Sequence, residues 1–556
     1  MPSRLIATVL AAVVGAALIA AAALGSSGSA SASSAAAARG GTLRVDLRND
    51  FDFIDPSLAY FSHSWQLEWA TQLTLMSFPD KEGDEGSRVI PSAAAGLPLV
   101  SKDGKTYTFT LRKGFRFSNG QPVTAANFVA AMNRALNPRM QSPAASFLED
   151  VVGAQAVLDG KAQRASGIKT SGDKITISLT KVAPDFVSRM TLPFFSAIPA
   201  NLAIEPNGVG APLVSAGPYY VKEWTQARTA TVVRNPYWNR NREPWKSLAR
   251  PANADAITYV IGNSLESTRL RLESNAVDLG AVPPAAHAEL AEKYGINKDR
   301  WFVRKQQVMW YFALNNEQPL FKGNTKLRQA VNWAIDRPQL VRQFGYLGGA
   351  RTDQIIPPGM LGFKNASVYP LGGVNATSLG KARDLSEGNT RTGKAVMYTF
   401  NNSPGPQIAQ VLQFNLKQIG VDLEIRQFDR VVQNTKSGTR GEAFDVTFEG
   451  WGADYPDPYL FLNKLLDGTN IQAANNNNMS YFNDPAWNKK LKAAALLAGD
   501  ARGKAYADLD RTIMKDAAPL APFITQNARI LVGEDVGCYS FQPVLGTTNL
   551  VAVCKK

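Results

Sequence analysis

Histidine is scarce in this 556-residue chain, and the familiar catalytic motifs are missing. The two histidines, His63 and His287, belong to no recognisable catalytic or metal-binding pattern. The sequence has no GxSxG, HExxH, Walker-type or CxxC motif, which removes the usual signatures of serine hydrolases, zinc peptidases, phosphate loops and thiol redox enzymes. We therefore predict no catalytic residue, no metal site and no cofactor. A hydrolase with paired carboxylates remains an alternative, because such a pair cannot be recognised in one sequence.

Cysteine is equally rare. The chain has only Cys538 and Cys554, both near its C-terminal end. Two cysteines in an exported protein are expected to pair in an oxidising compartment. We therefore predict a disulfide between them, with two buried free thiols as the alternative.

Blocks of like charge are also missing. Lysine and arginine total 60 against 46 aspartates and glutamates, a formal net charge of +14, but the basic residues are scattered along the chain. This distribution argues against a nucleic-acid partner. A solvated surface explains the excess most simply, and association with an anionic cell envelope or an acidic solute is the alternative. The length and the 45% hydrophobic content predict two or three lobes, because one hydrophobic core stops growing at about 250 to 300 residues.

The N-terminus has the pattern of a secretory signal peptide. Arg4 precedes an unbroken small and apolar run at 5–24, and a Ser/Ala-rich stretch with Ala-Ser-Ala at 30–32 follows. We assign residues 1–38 to a signal peptide and tail and predict an extracellular or cell-envelope protein. The run is about long enough to cross a bilayer, so an uncleaved anchor is the alternative. No cysteine follows the run to carry a lipid.

The first half of the chain shows strand and hairpin patterns. Two alternating segments at 97–100 and 106–111, joined by Asp103-Gly104, predict a β-hairpin. Thr124 is predicted to cap a helix that ends at Asn137-Pro138. Further strands are predicted at 43–47, 174–179, 217–224 and 230–234.

The second half changes to an α/β pattern. A strand at 395–400, a helix at about 407–419 and a strand at 421–425 predict a parallel pair with a right-handed crossover. Asp336 is predicted to cap a helix. Extended apolar segments are predicted at 308–314 and 521–532, after which the last segment is free to return to the first lobe.

The segment 450–458 (GWGADYPDP) places a carboxylate between two aromatic residues. It follows a strand predicted at 443–448, so Asp454 lies beyond a carboxyl strand end, where open α/β sheets bind ligands. Flanked by Trp451 and Tyr455, the Asp454 carboxylate suits a cationic group such as the α-ammonium of a peptide. The alternative, a turn carboxylate bonded to nearby backbone amides, is equally compatible with this segment.

The second acid of this segment, Asp457, indicates a different role. It precedes Pro458 and an apolar periodic run, so we predict that it is the N-cap of a helix with proline at the first position. A calcium loop is not favoured, because two acids three residues apart leave most of the ~6 to 8 oxygen ligands unaccounted for.

A set of short motifs runs along the chain in a fixed order: GGTLRV (40–45), IDP (54–56), KDGKTYTFTLRKGFRFSNGQPVTAANFV (102–129), AGPY (216–219), VVRNPYW (232–238), KLRQAVNWAIDRPQLV (326–341), QFNLKQIGVDLEI (413–425) and FDVTFEGWGADYPDP (444–458). Together these motifs resemble, in the same order, those of a family, the extracellular solute-binding proteins of ABC importers, and within it the peptide- and oligopeptide-binding group, family 5. Three departures are visible: Asn127 replaces the acid usual after the TA pair, SNG at 118–120 stands where HDG is common, and the lipid-attachment cysteine is missing, which puts membrane tethering in question.

The resemblance implies an α/β, two-lobed fold of the periplasmic-binding-protein type, with a ligand cleft between the lobes and an extra subdomain inserted in the first lobe. Two crossover strands would form the hinge. The implied limits are 39–84, 206–303 and 526–556 for a discontinuous lobe I, 85–205 for the inserted subdomain and 304–525 for lobe II.

The implied function is capture of extracellular di- to oligopeptides and their delivery to the permease subunits of an ABC importer, by a monomer that is not an enzyme. Some members of the family carry nickel chelates, sugars, haem or opines instead, so a non-peptide solute is the alternative.

The resemblance also implies the roles of individual residues. In peptide binders of this family the acid of the W-x-A-D-Y motif holds the α-ammonium of the ligand, and that acid is Asp454 here. Backbone groups from Gly450 to Gly452 would pair with the extended ligand as an added strand. Tyr60, Phe61 and Ser62 would line the opposite wall.

Overall fold

The computed structural model describes residues 39–248, 250–390 and 393–556. The signal-peptide assignment, 1–38, lies outside these residues. In chain order, the described strands are β1 (Thr42–Leu47), β2 (Met76–Ser77), β3 (Ile90–Pro91), β4 (Leu99–Val100), β5 (Thr106–Thr110), β6 (Ile168–Ser171), β7 (Lys174–Ser178), β8 (Tyr219–Thr225), β9 (Thr229–Arg234), β10 (Ala256–Ile261), β11 (Leu279–Gly280), β12 (Trp301–Leu314), β13 (Gly349–Arg351), β14 (Ala395–Phe400), β15 (Leu423–Phe428), β16 (Val446–Gly452), β17 (Leu520–Val532), β18 (Val536–Gly537), β19 (Phe541–Gln542), β20 (Thr547–Thr548) and β21 (Cys554–Lys555).

The helices interleave with these strands along the described residues. They are α1 (Ser62–Thr71), α2 (Gly83–Gly86), α3 (Ala125–Leu136), α4 (Ala154–Leu158), α5 (Phe186–Arg189), α6 (Leu265–Glu273), α7 (His287–Tyr294), α8 (Thr325–Ala334), α9 (Arg337–Arg342), α10 (Ala376–Ser386), α11 (Gly405–Lys417), α12 (Arg430–Ser437), α13 (Tyr459–Leu466), α14 (Pro485–Ala495) and α15 (Gly499–Asp516). Within the same residues, no helix combines the length and the apolar content needed to cross a bilayer.

One large sheet organises the structure. Its strand order is β15-β14-β16-β12-β17-β11-β1-β10-β9-β8, with β13 added to β17. β14 pairs in parallel with β15, and α11 lies between them in the chain, so the predicted strand–helix–strand unit is confirmed. β1 pairs in parallel with β10. The sheet is therefore mixed: parallel pairs lie on both sides of an antiparallel centre, and the β10-β9-β8 end is antiparallel as well.

The two long strands β12 and β17 connect the two ends of this sheet. Residues 301–305 of β12 pair with 527–531 of β17, and residues 309–313 pair with 520–525. The register is interrupted between Lys305 and Met309. The expected lobe limits at 303/304 and 525/526 fall inside these two strands.

A second, four-stranded sheet lies within the segment expected to be inserted. Its order is β4-β5-β7-β6. The predicted hairpin is confirmed, since Leu99 lies opposite Thr108. Tyr107 and Phe109 are buried on one face of β5, against α3 and its neighbours.

The start of α3 shows why Asn127 is tolerated where the family usually has an acid. Thr124 is the N-cap, as predicted, and its backbone N–H donates to Asn127 Oδ1 at 2.8 Å. The Asn127 amide also donates to the Ile198 carbonyl oxygen at 2.8 Å. An amide closes the capping box as a carboxylate would and adds a tertiary hydrogen bond that an ionised carboxylate could not donate.

The hydrophobic core is continuous across the expected limits. The largest buried cluster contains Phe109 and Phe186 from the inserted segment together with Leu460 and Ile513 from α13 and α15. A second cluster contains Leu327 and other residues around α8, α11 and β14. By chain contacts the described residues form a single unit, so the lobe limits stay a prediction.

The predicted disulfide is confirmed. Cys538 and Cys554 are bonded, with their Cα atoms 5.3 Å apart. The bridge lies beside the short antiparallel pair of β18 and β21, in which Gly537 is opposite Cys554. The last strand returns to the first part of the chain, since Lys555 Nζ lies 2.6 Å from an Asp278 carboxylate oxygen.

Candidate ligand-binding site

A cavity of about 430 Å³ lies where β12, β16 and β17 meet the start of α1 and the 544–547 loop. Its walls come from segments far apart in the chain, so it is formed only when the large sheet and the C-terminal segment are assembled. The lining residues are Tyr60, Ser62, Trp65, Gln306, Gln307, Val308, Trp451, Gly452, Ala453, Asp454, Gln526, Val544, Leu545, Gly546 and Thr547.

Asp454 is the acid of this cavity. The Tyr60 hydroxyl donates to Asp454 Oδ1 at 3.1 Å, and among the described residues no backbone amide donates to this carboxylate. Burial raises the pKa of Asp454 to about 6, although the Tyr60 hydrogen bond and the charge of Lys464 oppose the rise. The carboxylate is therefore largely ionised at pH 7 and has lone pairs free for a cationic ligand.

The strand that carries the site is longer than the sequence pattern predicts. A strand ending at Phe448 is expected, but β16 continues through both glycines to Gly452. The reason is its partner, since the run from Val308 to Leu314 in β12 pairs with β16 along its whole length. Asp454 consequently lies two residues beyond the strand end, with Trp451 and Gly452 still in the ladder.

The opposite edge of β16 is only partly covered. β14 pairs with Val446 and Thr447, and in the described part of the chain no strand pairs with 448–452 on that side. Gln433 donates to the Phe448 carbonyl oxygen at 3.3 Å. Residues 449–452 thus present a strand edge to which an extended chain can be added.

Trp451 lies between two cavities. It is half-buried, it is opposite Met309 in β12, and its indole Nε1–H donates to the Leu460 carbonyl oxygen at 2.9 Å. This hydrogen bond fixes the ring. Besides the cavity around Asp454, Trp451 lines a second one of about 290 Å³ together with Gly450.

Tyr455 does not flank the Asp454 carboxylate, which corrects the expected aromatic pair. It is 1% exposed, and its hydroxyl donates to Asp185 Oδ2 at 2.7 Å. Its ring packs edge-on against Phe147. The chain turns sharply after the strand, so Asp454 lines the cavity, whereas the Tyr455 hydroxyl bonds to the segment expected to be inserted.

Phe61 and Gly450 also lie outside the cavity that contains Asp454. Phe61 is 55% exposed, and its backbone N–H donates to Asp52. Gly450 faces the Trp310 ring, where an added Cβ would lie 2.8 Å from ring atoms. The expected residues that do line the cavity are Asp454, Trp451, Gly452, Tyr60 and Ser62.

Asp457 is one residue away from the predicted cap position. α13 begins at Tyr459 with Pro458 as N-cap. The Asp457 carboxylate accepts the Tyr459 N–H at 2.9 Å and forms an ion pair with Arg502 at 2.6 Å. Asp457 therefore supplies an acceptor for a free backbone N–H at the start of α13, and its buried charge is paired with that of Arg502.

A buried ionic cluster holds the turn that carries Asp454. Arg189 donates to both Asp185 and Asp150, at 2.9 and 3.0 Å. Burial alone would raise the pKa of Asp185, but the Arg189 charge and the hydrogen bonds of Arg189 and Tyr455 outweigh it and lower the pKa. Asp185 thus stays ionised and accepts a charge-assisted hydrogen bond from Tyr455.

The model of the bacterial extracellular solute-binding proteins, family 5 (middle), matches residues 88–473. The chain belongs to this family. It is 26% identical over 476 residues to the periplasmic oligopeptide-binding protein OppA of Escherichia coli (strain K12), covering 82% of this chain and 83% of that protein. It is also 26% identical over 510 residues to the oligopeptide-binding protein OppA of Bacillus subtilis (strain 168), covering 86% and 87%.

Solved structures show the same fold. The clavulanic acid biosynthesis oligopeptide binding protein 2 has a TM-score of 0.83 at 23% identity, covering 93% of this chain and 96% of that one. Haemophilus influenzae OppA in complex with RPPGFSPFR has a TM-score of 0.68 at 21% identity, covering 93% and 99%. The expected two-lobed α/β fold is confirmed, and the members of this family are binding proteins of the bacterial exterior.

Several cavity residues of this solute-binding protein carry no signal in the sequence. Gln306 donates to the Gly546 carbonyl oxygen at 2.8 Å, and Gln307 donates to Ser87 Oγ at 3.0 Å. Gln526 comes from β17. These residues reach the cavity because the register of β12 shifts beside them and because the C-terminal segment returns to this place. Neither feature has a local sequence motif that would predict it.

Proposed function

We propose that this protein captures peptides with a free N-terminus and delivers them to the permease of an ABC importer. The observation that carries the proposal is Asp454, an acid on the cavity wall with one hydrogen bond, from Tyr60, and no backbone donor among the described residues. The relatives at 26% identity are by name oligopeptide-binding proteins, which supports the same solute class here.

The ionisation states of the two partners favour this pairing. A peptide α-amino group with a pKa of about 7.7 to 8.0 is mostly charged at pH 7. Asp454 is mostly ionised at the same pH, because its pKa is raised only to about 6. Bringing the ammonium against this carboxylate compensates a charge that burial has made costly.

The free edge of β16 is complementary to the main chain of an extended peptide. Over the residues that the structure describes, 449–452 have no strand partner on one side, and the ring of Trp451 within this segment is held by its hydrogen bond to the Leu460 carbonyl oxygen. We propose that the peptide extends from Asp454 along this edge as an added strand. Backbone hydrogen bonds of this kind are independent of side-chain identity, which suits a carrier of varied peptides.

Calorimetric titration with one short peptide, free or N-acetylated, tests the proposal. Acetylation removes the charge, so we expect it to weaken binding by about 30-fold to several thousand-fold, the range for one partner of a buried charge pair. Asp454→Ala should have the same effect. The two changes combined should cost little more than either alone, because they remove one interaction.

The matched control is Asp384→Asn, which neutralises an exposed acid on α10 and should leave affinity unchanged. Equal binding of the free and acetylated peptides would contradict the proposal and favour a non-peptide solute. Turnover of a peptide or glycoside by the pure protein would favour the hydrolase alternative.

The lobe limits, the monomeric state and the permease partner belong to the same proposal. The two long strands β12 and β17 support the hinge position, since they connect both ends of the sheet. Small-angle scattering with and without peptide tests the arrangement. We expect the mass of a monomer and a smaller radius of gyration when peptide is bound.

A further inference from the structure

The loop that follows β9, residues 235–246, has no part in the proposal above. Its basic residues are Arg240, Arg242 and Lys246. Arg242 and Lys246 are exposed, and in the described part of the chain neither forms an ion pair. Their charges are therefore free to attract an anionic partner.

Arg240 lies in a group of three arginines. Burial lowers the pKa of Arg240, and the nearby charges of Arg39 and Arg234 lower it further. Arg240 Nη1 donates to the Pro251 carbonyl oxygen at 2.9 Å, and Arg234 Nη2 donates to the Ala254 carbonyl oxygen at 2.7 Å. These carbonyl oxygens fix both guanidinium groups but carry no net charge, so positive charge is concentrated here.

A second basic segment, residues 112–120, lies beside the loop. An added Cβ at Gly114 would lie 3.2 Å from Pro244. Lys113, next to Gly114, has 86% of its side chain exposed. Arg116 is exposed as well, so this segment adds two cations to the same surface.

Together these residues form what we call the basic face. Its members are Arg39, Lys113, Arg116, Arg234, Arg240, Arg242 and Lys246. Among the described residues, Asp255 pairs with Arg234 at 3.1 Å, and Asp173 lies 3.8 Å from Lys113. Glu243 is the other acid within the loop. Seven cations against three acids leave the basic face with a clear positive excess.

An exposed aromatic side chain lies within the basic face. Tyr237 is 42% exposed, and an added Cβ at Gly120 would lie 2.7 Å from its hydroxyl oxygen. Tyrosine combines an apolar ring with a polar tip and is enriched where a membrane meets water. Clustered cations with such a ring suit the headgroup region of an anionic bilayer.

The described chain begins at the basic face. Arg39 is exposed, and the Gly40 N–H donates to the Asn253 carbonyl oxygen at 3.0 Å. Residues 1–38, with the apolar run expected to direct the chain to a membrane, are joined to the protein at this point. A chain delivered or held by that run therefore brings the basic face close to the bilayer.

We propose that the basic face binds the surface of an anionic phospholipid membrane. The attraction is electrostatic and adds over the cations that approach the surface, each strengthening the partition by about fivefold. The inference does not depend on which solute the protein carries, because no member of the basic face lines the cavity around Asp454.

Sedimentation of the full chain with lipid vesicles tests this inference. Partition onto mixed phosphatidylglycerol and phosphatidylcholine vesicles is compared with partition onto phosphatidylcholine alone. We expect stronger partition onto the anionic vesicles and a loss of this difference between about 0.1 and 1 M salt, since the Debye length falls from about 10 to about 3 Å. A contribution from the apolar run at 5–24 is the same for both vesicle types and is not weakened by salt.

A variant that combines Lys113→Gln, Arg242→Gln and Lys246→Gln removes three exposed cations of the basic face. Its partition onto anionic vesicles should be about 100-fold weaker than that of the natural protein. If this variant melts at a lower temperature, Lys246→Gln alone, with an expected loss of about fivefold, provides the comparison.

The matched control makes the same change of net charge elsewhere. Lys489, Lys492 and Lys504, exposed on α14 and α15, are replaced together by glutamine, and this variant should retain most of the binding. Both variants should bind peptide in calorimetry as the natural protein does. This measurement separates the inference from the proposed function.

Three results would overturn the inference. The first is equal partition onto the two vesicle types. The second is an equal loss in the control variant, which would show that only the net charge matters. The third is stronger displacement from the vesicles by inorganic phosphate than by chloride at equal ionic strength, which would indicate a discrete phosphate site instead of a membrane-binding surface.

Discussion

Lowering the pH from 7 to 5 should weaken the binding of a free-amine peptide through protonation of Asp454. Burial raises the pKa of this carboxyl to about 6, and only the ionised form attracts an ammonium. The carboxyl is about 90% ionised at pH 7 and about 10% ionised at pH 5, whereas the peptide amine, with a pKa near 8, stays charged throughout. The affinity should therefore fall by about 10-fold over these two units.

The sign of the dependence follows from the raised pKa. In the free protein the Asp454 carboxyl keeps its proton up to about pH 6. In the complex the ammonium stabilises the ionised form, so Asp454 is protonated only at lower pH. Binding below pH 6 thus requires proton release, which lowers the affinity. Above about pH 8 the peptide amine itself loses its charge, so the affinity should decrease again and show a maximum near pH 7.

Calorimetry at several pH values with an amidated peptide measures this profile. The amide is chosen so that the peptide carries no C-terminal carboxylate whose own interactions could add to the pH dependence. Asp454→Asn should bind weakly and independently of pH between 5 and 7. Equal affinities at pH 5 and 7 for the natural protein, or an unchanged slope in Asp454→Asn, would refute the assignment of the ammonium to Asp454.

Three further predictions concern stability. Replacing both cysteines of the Cys538–Cys554 bridge by serine should lower the free energy of unfolding by about 3 kcal/mol, because the disulfide closes a loop of roughly 15 residues in the unfolded chain. Tyr455→Phe removes the donor to buried Asp185 and should cost about 1 to 3 kcal/mol. Asn127→Ala removes the capping box of α3 and should cost about 0.5 to 2 kcal/mol. Denaturant unfolding measures all three.

Each stability prediction has its own check. Thiol labelling of the denatured, unreduced protein should detect no free cysteine, and two labelled thiols would contradict the disulfide. Tyr346→Phe, at a position 46% exposed, should change stability by less than about 0.5 kcal/mol, so a Tyr455→Phe effect no larger than this would show that the Asp185 hydrogen bond is unimportant. For Asn127, the free energies of unfolding of Asn127→Ala and Asn127→Asp are compared. If Asn127→Asp is as stable as the natural protein, the capping box contributes more than the hydrogen bond to the Ile198 carbonyl oxygen.

Elements with strong local patterns could be predicted from the sequence. The limits of β14 at 395–400 agree with the prediction, because alternating apolar residues bounded by turn residues are a local signal. The Thr124 and Asp336 caps were likewise visible, and Asp336 accepts the Gln339 N–H at 2.8 Å. Asp454 is a candidate from the sequence alone because a strand pattern followed by an acid locates a strand end, and the structure places it on a cavity wall.

Features that depend on contacts between segments far apart in the sequence could not be predicted. β16 extends to Gly452 because β12 pairs with it, and glycines in a sequence normally indicate the end of a strand. The Tyr455 side chain turns away from Asp454 because its hydroxyl donates a hydrogen bond to Asp185, which is 270 residues away in the sequence. Gln306 and Gln526 likewise reach one cavity only in the assembled sheet.

The interruption of the β12–β17 ladder has a mechanical consequence for the cavity beside it. Gln306, Gln307 and Val308 have no register partner in β17, whereas pairs run from Trp301 to Lys305 and resume at Met309. On the β17 side no ladder pairing opposes bending at these residues, whereas on the β16 side the Ala453 N–H donates to the Gln307 carbonyl oxygen at 3.1 Å and Val308 pairs with Gly452. The closure of two lobes that the proposed function requires would therefore bend β12 at these residues while both β12–β17 ladders stay paired. The same three residues line the cavity around Asp454, so a solute held there would press directly on the part of β12 that has to bend.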